Sequence, residues 1–71
     1  MSTDWEDFVA QVEDLLLDID DLPEAAHDFA EGTRETLEGM MEWADAREHC
    51  TEKMWTALEN IRGGVERWRT E

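Results

Sequence analysis

Apolar residues recur every three or four positions along almost the whole chain, and this spacing places them on one side of an α-helix. The spacing predicts a first helix over about residues 4–20. Thr3 and Glu6 have the spacing of a capping box, which would begin this helix. The apolar positions of this first stretch are Trp5, Phe8, Val12, Leu15, Ile19 and Leu22.

The segment from Asp20 to Pro23 predicts a turn between two helices. Proline fits the first turn of a helix because the N–H that it lacks would have no partner there. We therefore expect Pro23 to open a second helix, with Asp21 or Leu22 as its cap. A turn this short makes the two helices antiparallel neighbours.

The second apolar stripe keeps its heptad phase to the end of the chain, which favours one long helix over about residues 23–62. Gly63-Gly64 would end the helix at residue 62, and if it does not, the helix continues to residue 69. The alternative is a break near Asp45, where Asp45 and Glu48 have the spacing of a second capping box. The stripe consists of Ala26, Ala30, Thr33, Leu37, Met40, Ala44, Arg47, Thr51, Met54, Leu58, Ile61, Val65 and Trp68.

The sequence thus predicts a single all-α domain over residues 1–71, either a helical hairpin of one short and one long helix or a three-helix bundle. In the hairpin, the short helix covers only half of the long one, so we expect a second copy to cover the rest in a dimeric helical bundle. Arg47 and Thr51 fall at core positions of the stripe and could fix the register of such a homodimer. The predicted self-association face consists of Trp43, Met54, Trp55, Leu58, Ile61, Val65 and Trp68.

Every charged residue before Arg34 is an aspartate or a glutamate, in a chain whose formal net charge is -14. A dense field of one sign repels nucleic acid and anionic membranes and attracts basic protein surfaces. The expected partner is therefore a protein with a basic surface, and direct binding to nucleic acid or a membrane is not expected.

Carboxylates at i,i+4 spacing on the outer side of the first helix, such as Asp14 and Asp18, are about 6 Å apart, a spacing comparable to that of phosphates along a nucleic-acid strand. This predicts a small inhibitor or regulator, of the phage or mobile-element type, that binds a nucleic-acid-binding protein by DNA mimicry. Leu17 lies on the same side and could anchor the partner. The candidate partner-binding face consists of Glu6, Asp7, Glu13, Asp14, Asp18, Asp20 and Asp21.

A second interpretation stays open, in which the chain is a self-assembling structural or adaptor module from a salt-adapted organism. Lys53 is the sole lysine, and a low lysine content with many acidic residues is typical of proteins from a salt-rich cytoplasm. The acidity would then serve solubility alone.

Two histidines have carboxylates at helical spacing, but neither set predicts a metal site. His27 follows Glu24 in a single E-x-x-H pattern, whereas carboxylate-bridged bundles use two such patterns and further glutamates from facing helices. His49 lies between Asp45 and Glu52 in the same way. Surface histidines are the expected interpretation, and no metal or other cofactor is predicted.

No catalytic motif stands out, so the sequence predicts a protein that is not an enzyme. Cys50 is next to His49, but neighbouring side chains on a helix point about 100° apart and no third group orients them. A packing thiol is expected instead. Met40, Met41 and the tryptophans are likewise expected to be packing residues.

The cysteine content and the apolar runs favour the cytoplasm. A single cysteine excludes an internal disulfide. The longest wholly apolar run, Leu15 to Leu17, is too short to cross a bilayer or to serve as a signal sequence, and no basic residue precedes it.

Overall fold

The computed structural model describes residues 4–70, which form three α-helices and no strand. Helix α1 spans Asp4–Asp20, α2 spans His27–Arg47 and α3 spans Glu52–Thr70, with a 3₁₀ turn at Glu24–Ala26 before α2. The all-α prediction is confirmed. Thr3, the first residue of the predicted capping box, lies outside the described residues.

The connection between α1 and α2 is longer than the sequence predicts, because it spans residues 21–26 and includes the 3₁₀ turn. The N–H groups of Asp21 and Leu22 donate to the carbonyls of Asp18 and Ile19, each at 3.1 Å, and close the end of α1. Pro23 is extended, with φ −66° and ψ 160°, and caps the 3₁₀ turn. It therefore precedes the turn, and neither Asp21 nor Leu22 caps α2, which begins only at His27.

The prediction of one long second helix is wrong, because the chain breaks between Arg47 and Glu52. Glu48 adopts the left-handed conformation, with φ 51° and ψ 45°, and its N–H donates to the Ala44 carbonyl. The His49 N–H donates to the same carbonyl at 3.2 Å, as in a Schellman motif. The three-helix alternative is the one observed.

A threonine side chain begins α3. The Thr51 hydroxyl accepts a hydrogen bond from the Met54 N–H at 3.2 Å, which is the geometry of an N-cap. The predicted capping box of Asp45 and Glu48 does not form, because Asp45 lies inside α2. The heptad phase could not reveal this break, since the apolar stripe continues in the same phase on both sides of it.

Replacing Glu48 by glycine is expected to raise the free energy of unfolding by about 1 kcal/mol. A side chain in the left-handed region strains the backbone, whereas glycine adopts that region without strain. Glycine also makes the unfolded chain more flexible, which offsets only part of the stability gained from the relief of strain. Chemical denaturation measures the change. Glu48→Ala is the matched control, because it removes the same carboxylate from the helix end but keeps a Cβ. An equal gain from both variants would assign the effect to charge instead of backbone strain.

The core lies where α1 meets both other helices, because α3 folds back along the bundle. The Phe8 ring packs edge-on against Trp55, with ring centroids 5.2 Å apart and an interplanar angle of 82°. All three helices bury apolar side chains in one cluster, and the described chain measures 41 × 18 × 17 Å. The buried cluster consists of Phe8, Val12, Leu15, Ile19, Leu37, Ala44, Leu58 and Val65.

The fold removes the main reason for expecting a second copy. Leu58 and Val65, at 0% and 1% exposure, are buried within the single chain and are not available for self-association. The predicted core position of Arg47 is wrong, because this residue is exposed and its guanidinium lies 4.9 Å from the Trp43 ring centroid. Thr51 caps α3 instead of fixing a register. Homodimer formation stays a prediction that no observation tests.

Candidate protein-binding surface

The side of α1 opposite the core forms a continuous exposed surface, which we call the outer face. It consists of Glu6, Asp7, Ala10, Glu13, Asp14, Leu17 and Asp21, all exposed to solvent. The helical repeat separates them from the buried Phe8 and Ile19, whose side chains hold α1 against the other two helices.

Leu17 is 66% exposed, and it is the large apolar side chain that the described part of the chain leaves most open to solvent. Glu13 and Asp14 lie four and three residues before it in α1, so their side chains are its neighbours on the helix surface, and Asp21 follows in the turn after α1. An apolar side chain beside carboxylates can exclude water from a contact while the charges orient the partner.

Arginines of α2 and α3 use part of the predicted acidic face within the chain itself. Arg34 forms an ion pair with Asp20, and Arg69 lies 3.5 Å from the Asp18 carboxylate. Arg62 donates a hydrogen bond of 2.6 Å to the Gln11 side chain. These contacts join α1 to both other helices, so the charges of Asp18 and Asp20 are paired within the chain.

The other five predicted carboxylates remain available. Among residues 4–70, no cation lies within salt-bridge distance of Glu6, Asp7, Glu13, Asp14 or Asp21. Because these side chains are exposed, their field extends into solvent over about 10 Å at moderate salt. The outer face therefore presents unpaired negative charge around one apolar side chain.

A second acidic surface, which we call the α1–α2 groove, lies between those two helices. It is an open depression of about 510 Å³. Val9 and Met41, both half-buried, form its apolar floor. Its rim carries carboxylates from both helices, namely Glu13, Glu38, Glu42 and Asp45.

Sequence reasoning missed the three α2 residues of this rim. Glu38, Glu42 and Asp45 are spaced by four and three positions, a signal that places them in one row beside Met41. The spacing cannot show that this row faces Glu13, because that depends on how α1 and α2 are aligned.

The predicted self-association face is divided among several places. Trp43 and Met54 line a more apolar groove of about 460 Å³ between α2 and α3. Trp68 packs on Phe29, with ring centroids 6.4 Å apart. The other members lie in or against the core: Trp55, Leu58, Ile61 and Val65.

The surroundings of His27 and Cys50 bear on whether either could form a metal or catalytic site. His27 Nε2 lies 3.1 Å from a carboxylate oxygen of Glu31, and both side chains are largely exposed. Within residues 4–70, no three histidine, cysteine or carboxylate side chains converge as a metal site would require. Cys50 is half-buried, and its sulfur accepts a hydrogen bond of 3.1 Å from the Trp55 indole.

None of the three described helices is long and apolar enough to cross a membrane. Comparison with known protein families, curated proteins and solved structures found no match to this chain.

Proposed function

We propose that this chain is a non-enzymatic inhibitor or regulator that binds the basic surface of a nucleic-acid-binding protein by mimicking the charge of DNA. The outer face would make the contact. The observation that supports the proposal is the exposed Leu17 among carboxylates that have no cation partner in the described chain.

The internal arginine contacts strengthen this proposal in one respect. If the acidity of α1 served the fold alone, the arginines would be expected to neutralise most of its carboxylates. Arg69 and Arg34 instead pair with Asp18 and Asp20, beside the outer face, and leave the outer face charged. The carboxylates of the outer face repel one another through solvent, and a basic partner would remove that repulsion.

Competition with DNA provides the test. The tagged chain is incubated with lysate of its host, and the captured proteins are eluted with duplex DNA and identified by mass spectrometry. A protein that binds nucleic acid and is displaced both by duplex DNA and by salt would support mimicry, because real and imitated DNA would occupy the same basic surface.

Charge-reversal variants locate the contact. Asp14→Lys with Asp21→Lys is expected to abolish the capture, whereas Glu35→Lys with Glu66→Lys makes the same change in net charge away from the outer face and should retain most of it. Circular dichroism verifies that each variant is folded. Equal losses from both pairs, or capture that duplex DNA does not reverse, would contradict the proposal. If the tagged chain captures only untagged copies of itself, and these stay bound at high salt, the self-assembling module would be favoured.

A further inference from the structure

We propose that the α1–α2 groove binds arginine side chains from a basic segment of the partner protein. This inference rests on the proposed function and names the partner group that this part of the surface would take. The groove has an apolar floor, Val9 and Met41, and a rim of carboxylates contributed by two helices.

The shape of the groove suits a side chain that is apolar along its stem and charged at its end. Val9 and Met41 are half-buried against the core, so the floor is fixed by the packing of α1 on α2. An arginine stem of three methylene groups can lie on such a floor while its guanidinium reaches the rim. The planar guanidinium then pairs with a carboxylate through two parallel hydrogen bonds.

Charge complementarity decides between the possible occupants. No cation of residues 4–70 lies within salt-bridge distance of Glu13, Glu38, Glu42 or Asp45, so the rim is not neutralised within the described chain. A second copy carries the same net charge of -14 and would be repelled. A bare metal ion would gain nothing from the apolar floor, and the rim residues do not converge as metal ligands in the part of the chain described.

The floor supplies a local probe of binding. Methyl resonances of Val9, Met41 and Leu17 in the full chain are followed by NMR during titration with a synthetic peptide of four arginines separated by alanines. Saturable shifts at Val9 and Met41 are expected, with weaker shifts at Leu17. The same peptide with lysine in place of arginine should bind more weakly, because an ammonium group cannot make the two parallel hydrogen bonds.

Paired variants separate the groove from general attraction of charge. Glu38→Gln with Glu42→Gln is expected to weaken peptide binding by about tenfold or more, which corresponds to the loss of at least one charge-assisted hydrogen bond. Glu35→Gln with Glu66→Gln removes the same charge elsewhere and should change the affinity by less than about threefold, as expected for screened charges. Met41→Gln keeps the length of the floor residue but not its apolar character, and should also weaken binding.

The outcomes distinguish this inference from the proposed function. Equal losses from the two glutamate pairs, equal affinity for the lysine peptide, or shifts confined to Leu17 would overturn the groove as an arginine site. Each of those results is compatible with a partner that duplex DNA displaces, so the proposed function would stand. Failure of the DNA competition together with a positive peptide titration would instead leave an arginine-binding groove on a protein that is not a DNA mimic.

Discussion

Replacing Phe8 by alanine is expected to lower the free energy of unfolding by about 3–5 kcal/mol, as large-to-small substitutions in protein cores do. Phe8 is 0% exposed and packs edge-on against Trp55, so its ring joins α1 to α3. A domain of this size has a total stability of only about 4–10 kcal/mol. Thermal and urea denaturation followed by circular dichroism would measure the loss, and much of the variant should be unfolded at 37 °C.

Leu17→Ala is the matched control on the same helix. Its side chain is 66% exposed, so the substitution should change the free energy of unfolding by less than about 0.5 kcal/mol. A loss from Phe8→Ala that is no larger than the loss from Leu17→Ala would contradict the packing of α1 against α3.

Combining Gly32→Ala, Gly39→Ala and Gly63→Ala is expected to raise the free energy of unfolding by about 2.5–3 kcal/mol. All three glycines lie inside helices, and an added Cβ at each would meet no atom of the described chain within 4 Å beyond its chain neighbours and the adjoining backbone of its own helix. Each alanine lowers the backbone entropy of the unfolded chain at no steric cost. The three sites are well separated, so their contributions to the free energy of unfolding should add. A thermal scan should show a midpoint about 10–20 °C higher.

Gly64→Ala is the control for this prediction, because Gly64 differs from its neighbour Gly63 in its surroundings. An added Cβ at Gly64 would lie 2.9 Å from Cζ and 3.1 Å from Cε1 of Phe29, whose ring packs on Trp68. Displacing that ring should cancel the helix-propensity gain or exceed it. A gain at Gly64 equal to the gain at Gly63 would show that α3 does not pack on Phe29 as described.

Much of the candidate site could be predicted from the sequence, but which of its carboxylates remain unpaired could not. Helical periodicity places Glu13, Asp14 and Leu17 away from the core, and α1 presents them there. The sequence could not show that Arg34 and Arg69 reach back to α1 and engage Asp20 and Asp18, because these contacts join residues far apart in the chain. The α1–α2 groove was missed for the same reason.

The sequence by itself determined the helical class, the extent of α1 and the sign of its outer face. Those properties depend on residue spacing within one helix and on charge, which are local quantities. Only the tertiary structure decided where the second stripe breaks and what covers its distal half. The heptad phase is the same for a continuous helix and for two helices joined at Glu48, because periodicity records which side is apolar and not the direction of the axis. The break lets α3 fold back onto α1, so packing within one chain buries Leu58 and Val65, which the sequence had assigned to a second copy.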